Sequence, residues 1–95
     1  MLRSIAVVGV GYWGKNLVRN FHELGALAAI CDIDQGVEER FNGICPDVRY
    51  CNDFSALLKE PEIRGVALAT PAATHYRLAK QALAAGKDVF VEKPL

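Results

Sequence analysis

Three glycines placed directly behind an apolar run set the first constraint on this chain. Ile5-Ala6-Val7-Val8 leads straight into Gly9-Val10-Gly11-Tyr12-Trp13-Gly14, and a helical pattern opens immediately afterwards. The spacing G-x-G-x-x-G carries weight only in such a strand-to-helix setting. There each glycine has its own task. Gly9 permits a tight turn, Gly11 lets the backbone approach a pyrophosphate, and Gly14 lets the helix pack close to the strand. The start of the helix adds unpaired N–H groups and the positive end of its dipole. The segment therefore predicts strand, turn and helix, and with them a dinucleotide-binding unit.

An acid at the right distance strengthens that expectation. Asp32 ends a second apolar run, Ala26 to Cys31, and lies 21 residues beyond Gly11, close to the spacing of about 20 expected for a ribose-binding carboxylate. A carboxylate there accepts hydrogen bonds from the adenosine ribose hydroxyls. Its charge also repels a 2′-phosphate, which favours NAD over NADP. Asp34 adds a second negative charge, and the first basic residue after it is Arg40. The alternative is that Asp32 merely ends a strand and Asp34 caps the next helix.

The rest of the chain alternates strand and helix, which predicts a parallel sheet covered on both faces, a doubly wound α/β (Rossmann-type) fold. Gly14, Leu17, Val18, Phe21 and Leu24 recur at helical spacing, with Gly25 as the stop. Val37, Phe41 and Ile44 suggest a short helix broken before Pro46, and Val48 to Tyr50 a third strand. Asn52 or Asp53 can cap a short helix through Phe54, Leu57 and Leu58. Gly65 to Ala69 is wholly apolar, as a central parallel strand should be. A helix from Ala73 to Ala85, with Leu78, Ala82 and Ala85 on one side, stops at Gly86, and Asp88 to Val91 is a fifth strand. Folds of this kind usually have six strands in the order 3-2-1-4-5-6. Five are found here, so residues 1–95 are read as an incomplete dinucleotide-binding domain.

Composition narrows the partners. With 11 basic and 11 acidic residues and no block of like charge, there is no footprint for nucleic acid. No apolar run approaches the ~18 residues of a membrane span, and the N-terminus reads as a strand rather than a signal peptide. Cys31, Cys45 and Cys51 form no C-x-x-C pair, and neither His22 nor His75 completes a metal-ligand cluster with them. Reduced thiols in a cytoplasmic protein are the simple account. A redox or nucleophilic role for any of the three is the minor reading.

In an open α/β sheet, ligands bind outside the carboxyl ends of the strands, at the switch point between its halves. Topology alone thus sets Ala69-Thr70-Pro71-Ala72-Ala73-Thr74-His75 and Glu92-Lys93-Pro94-Leu95 beside one crevice with the glycine turn. These segments also carry a resemblance. GVGYWG, ATPAATH and VEKPL, in that order across nearly the whole chain, resemble the N-terminal half of the glucose–fructose oxidoreductase / inositol dehydrogenase (Gfo/Idh/MocA) family. Gly11 to Phe21 further resembles members that oxidise nucleotide-linked amino sugars or their uronic acids.

The resemblance implies NAD as cofactor, with the backbone N–H groups of Tyr12 and Trp13 meeting phosphate and Thr70 and Pro71 lining the crevice. Trp13 can equally be packing at the helix start. His75 is either a ligand contact or a histidine satisfied within the protein. Glu92 would bond the nicotinamide ribose. Lys93 would reach the substrate hydroxyl and stabilise a developing alkoxide, sharing in proton transfer if desolvated. Pro94 would set the turn that presents it, through a peptide bond that can be cis. The implied parent is a homo-oligomeric sugar or nucleotide-sugar dehydrogenase whose substrate domain lies outside this chain. Two other readings stand beside it: a stand-alone NAD-binding module without catalysis, and a methyltransferase or flavoprotein with a similar glycine turn. The VEKPL ending speaks against the last.

Overall fold

β-Branched and small apolar residues build the strands, and each strand is short. In the computed structural model, which describes residues 3–11, 14–34 and 36–91, the elements run β1 (Ile5–Val8), α1 (Gly14–Glu23), β2 (Leu27–Cys31), α2 (Gly36–Phe41), β3 (Arg49–Cys51), α3 (Phe54–Leu57), β4 (Gly65–Leu68), α4 (Ala72–Ala84) and β5 (Asp88–Val91). All four strand pairings are parallel. The sheet order β3-β2-β1-β4-β5 is the doubly wound arrangement expected from the sequence.

Because side chains alternate across a strand, the sheet divides the core in two. Ala6, Val8, Val66 and Leu68 point to the side covered by Leu57 of α3 and by Leu78 and Ala82 of α4. Val7, Ile30 and Ala67 point to the side covered by Leu17 and Val18 of α1 and Val37 of α2. Val7, Ile30 and Leu68 are wholly buried, and full burial of such a side chain is worth about 1.5–3 kcal/mol. Lys87 is the one buried charged residue among those described. Its ammonium donates to the Glu60 carbonyl at 2.9 Å, as a buried polar group requires.

Several boundaries differ from the expectation. α2 ends at Phe41 rather than reaching Ile44. Asn42-Gly43 is a poor helix continuation, and the chain turns there, with the N–H groups of Ile44 and Cys45 both donating to the Phe41 carbonyl. Cys45 thereby takes the core position while Ile44 is left 61% exposed. β3 lies one residue later than the expected 48–50. Asp53, not Asn52, caps α3, accepting from the Ala56 N–H at 3.2 Å. Leu24 and Ala85 fall past the last helical turns and are exposed. Gly25 and Gly86 stop α1 and α4 as expected, with φ of 74° and 79°.

Candidate functional site

The carboxyl ends of β1, β2 and β4 open onto a crevice of about 1090 Å³. Val8 to Gly11, Asp32, Ile33, Asn52 to Ser55 and Ala69 to Ala72 line it, together with Thr74, Arg77, Leu78 and Gln81 of α4. The fold thus brings the glycine turn, the acid after β2 and the Thr70-Pro71 turn onto one surface.

The glycines are not equivalent. Gly9 has φ +86°, and a Cβ there would lie 2.6 Å from Thr70 Cγ2 and 2.9 Å from the Thr70 nitrogen. A Cβ on Gly14 would overlap the Gly9 carbonyl oxygen, so its absence is what lets α1 start against the turn. Gly11 is different: a Cβ would meet nothing within 4 Å among the described residues. No contact among the described residues requires a glycine there, and the position is open towards the crevice.

Asp32 ties this turn to the end of β2. Its Oδ2 accepts from the Val10 N–H at 2.6 Å, and Oδ1 from the Asp34 N–H at 2.8 Å. A carboxylate has about four acceptor positions, so two backbone bonds fix its orientation and leave capacity for a diol. The backbone around it is equally engaged: the Gly9 N–H donates to the Cys31 carbonyl at 2.8 Å, and the Asp32 N–H to the Cys51 carbonyl at 3.0 Å. Asp34 is not among the described residues of the large crevice's wall and lines a smaller cleft that also includes Asp32. It accepts from the Gly36 N–H at 2.9 Å and pairs with Arg40 at 3.6 Å, which is the helix-capping alternative.

On the opposite wall, the Thr70-Pro71 turn is closed by side chains. Thr74 Oγ1 lies 2.6 Å from Thr70 Oγ1 and donates to the Pro71 carbonyl at 2.7 Å. His75 Nε2 is 2.7 Å from the Thr70 carbonyl, which can only accept, so this nitrogen carries the proton. His75 is not among the described residues of the crevice wall; its Nε2–H is taken up by the backbone carbonyl it supports. Tyr12, Trp13, Glu92, Lys93 and Pro94 lie outside the described residues.

Sequence reading missed several wall residues. Ile33 is 91% exposed beside Asp32, an apolar side chain open to a ligand. Arg77 is the only cation among the described wall residues. Thr74, Arg77, Leu78 and Gln81 recur at helical spacing, so the face they share was available from the period of α4.

A sheet of this order, with a glycine turn and an acid at its switch point, defines a dinucleotide-binding Rossmann domain. Comparison with known proteins agrees. Residues 3–95 match the family described as "Oxidoreductase family, NAD-binding Rossmann fold" (GFO_IDH_MocA). An uncharacterized oxidoreductase from Synechocystis is 48% identical over 97% of this chain and 25% of its own length. An inositol 2-dehydrogenase from Agrobacterium fabrum is 34% identical over the whole chain and 30% of its own length. The crystal structure of scyllo-inositol dehydrogenase from Lactobacillus casei, with bound NAD(H) and scyllo-inositol, superposes with a TM-score of 0.88 at 26% identity, over 99% of this chain and 28% of that one. The chain belongs to the Gfo/Idh/MocA oxidoreductase family, as its NAD-binding domain, and spans about a quarter to three-tenths of the length of these relatives. Among the described residues no helix is long and apolar enough to cross a membrane.

Proposed function

We propose that this chain is the cofactor half of a dehydrogenase that moves a hydride between NAD and a hydroxyl carbon of a sugar, cyclitol or nucleotide-sugar. The observation that carries the reading is the open side of Gly11 beside the oriented carboxylate of Asp32. In this reading the pyrophosphate lies along Gly9 to Gly14, against the positive end of α1. Asp32 holds the adenosine ribose, and Ile33 offers apolar surface to the adenine. Thr70 and Pro71 form the facing wall. NAD is preferred to NADP because Asp32 is anionic and Arg40 is already paired with Asp34.

Bound NAD supplies the hydride acceptor. Glu92 would fix the nicotinamide ribose, and Lys93 would hold the substrate oxygen, stabilising negative charge as the carbinol hydrogen leaves. Both roles rest on the VEKPL resemblance. The inositol dehydrogenases among the relatives support a polyhydroxylated substrate. A substrate domain beyond the dinucleotide-binding one, a homo-oligomeric parent and a cytoplasmic location belong to the same reading.

Calorimetry with NAD and NADP tests the first half, and NADH absorbance with a panel of inositols, sugars and nucleotide-sugars tests the second. The chain should bind NAD more tightly than NADP. Turnover should need the substrate-binding part as well, since positioning of the reacting carbon contributes about 7–11 kcal/mol of barrier lowering. In the protein carrying both parts, Lys93→Ala should abolish turnover and leave NAD binding intact. Equal affinity for the two cofactors would overturn the role of Asp32. Binding of NAD without turnover of any substrate in the longer protein would favour the non-catalytic module.

A further inference from the structure

Two of the three cysteines, 20 positions apart in sequence, become direct neighbours in the sheet. Cys31 ends β2 and Cys51 ends β3, and they are Cα partners in the parallel register of the two strands. Adjacent strands lie about 4.7–4.9 Å apart, inside the span of about 4.4–6.8 Å that a disulfide bridges between Cα atoms. In-register residues point to the same face, and both side chains belong to the core beneath α3 and α4. Cys45 packs in the core on the other face and is wholly buried.

We propose that Cys31 and Cys51 are a dithiol modification site, oxidised by hydrogen peroxide to a disulfide that weakens cofactor binding. The consequence for binding rests on the NAD-site reading above, whereas the thiol chemistry does not.

Three features of the site support it. First, Cys51 can be reached and its strand can move. Cys51 is half-buried and lines a cleft of about 340 Å³, whereas Cys31 is 3% exposed and borders the separate large crevice. β3 is a three-residue edge strand whose one strand neighbour is β2, so its free edge leaves it room to adjust as a bond closes. Second, the two thiols differ. Its hydrogen bond with Cys31 holds the Cys51 thiol down at about 7 against the opposing effect of burial, with the Asp53 backbone and the Arg49 charge also lowering it and the Glu60 charge raising it. The same bond, together with burial, raises Cys31. Cys51 is thus the nucleophile and Cys31 the resolving thiol. Third, the pair is wired to the cofactor turn through its own backbone. The Cys31 carbonyl holds the Gly9 N–H, and the Cys51 carbonyl holds the Asp32 N–H.

The chemistry balances. The Cys51 thiolate attacks one peroxide oxygen, the O–O bond breaks, and hydroxide leaves and is protonated to water. The resulting sulfenic acid is attacked by the Cys31 sulfur; the S–S bond forms, the S–O bond breaks, and a second water leaves with the Cys31 proton. Two thiols are oxidised by two electrons and one peroxide is reduced to two waters. A thiol reductant reverses the step. The usual Cα separation across a disulfide, about 5.5–6 Å, exceeds the strand spacing, so closing the bond eases β3 away from β2 and shifts the two carbonyls that hold the Gly9 and Asp32 N–H groups.

The test treats the protein with stoichiometric peroxide and follows intact mass, non-reducing peptide maps and NAD affinity by calorimetry, before and after dithiothreitol. The expected product is lighter by two hydrogen atoms, linked Cys31 to Cys51, and binds NAD about tenfold more weakly, the equivalent of one lost hydrogen bond. Reduction should restore both readouts. Cys45→Ala should behave identically, whereas Cys51→Ser and Cys51→Ala, each compared with itself before oxidant, should gain no linkage and lose no affinity. Oxygen addition without a linkage, a bridge to Cys45 or a bridge between molecules would overturn the site. An intramolecular 31–51 bridge with unchanged NAD affinity would overturn its effect on binding. A reduced protein that fails to bind NAD at all would break the cofactor reading instead, and the mass measurement would still decide the thiol chemistry.

Discussion

The turn from β1 to α1 and the turn from β4 to α4 meet in one crevice, but the first is built around three glycines and the second is closed by side chains. A Cβ at Gly9 or Gly14 would collide with the protein itself, whereas a Cβ at Gly11 would meet nothing among the described residues. In the second, Thr74 and His75 occupy the polar groups of Thr70 and Pro71 from within the protein. In the proposed reading, the difference separates a surface left open for the cofactor from a wall held by its own hydrogen bonds. It also explains why one turn was easy to read functionally and the other was not. Gly11 combines open space with a place on the crevice wall, which Gly43 lacks, whereas a threonine or histidine near a site is often satisfied at home.

The sharpest way to break this contrast is within the first turn. Gly14→Ala drives a methyl group into the Gly9 carbonyl oxygen, and a backbone oxygen cannot move aside by changing rotamer. The variant should lose stability at the upper end of the roughly 1–3 kcal/mol typical of overpacking, about 4–8 °C of melting midpoint for each kcal/mol in a domain of this size, and its NAD affinity should collapse as α1 is displaced. Gly11→Ala should keep the melting midpoint and lose only affinity. Equal loss of stability in the two variants would show that Gly11 also serves the fold, and the distinction between the two glycines would fail.

Asp32→Ala comes next. A charged hydrogen bond is worth about 1.5–3 kcal/mol, so NAD affinity should fall by roughly 10- to 150-fold at 1.4 kcal/mol per decade, with discrimination against NADP reduced. Asp32→Asn should fall between the two, since its amide keeps one acceptor oxygen for the Val10 N–H and gives up the charge. Calorimetry on both cofactors reads this directly. If NADP binding rises while NAD binding is unchanged, Asp32 acts by repulsion alone and does not hold the ribose.

Where the sequence was legible, the reason was local. Ile5–Val8 and Gly65–Leu68 are short apolar blocks between glycines or turn residues, and they became the central strands. Asp32 stood out through its distance from Gly11. What escaped depended on register. β3 was expected at 48–50 and lies at Arg49–Cys51. That single step decides whether Cys51 belongs to a strand at all, and only inside the strand does it face Cys31. No composition rule links two cysteines 20 residues apart without that register, so the thiols read as an unrelated set. Ile44 escaped for the opposite reason: its apolar period fitted a helix, while Asn42-Gly43 ended that helix three residues early. Arg77 and Gln81 were readable from the period of α4, but polar residues on a helix look like solvent-facing ones until the sheet shows which side the crevice lies on.

The smallest expected effect tests the second turn. His75→Ala removes one hydrogen bond to the Thr70 carbonyl, which should cost about 0.5–1.5 kcal/mol of stability, measurable as a lower melting midpoint. Because the ring is not part of the described crevice wall, NAD affinity should follow only the small movement of Thr70 and change within about threefold, some 0.6 kcal/mol. His75→Gln retains a donor and should recover part of the midpoint without altering affinity further. The opposite pattern, an unchanged midpoint with a loss of affinity as large as that of Asp32→Ala, would place the imidazole against the cofactor. The second turn would then be a binding surface like the first, and the contrast between them would disappear.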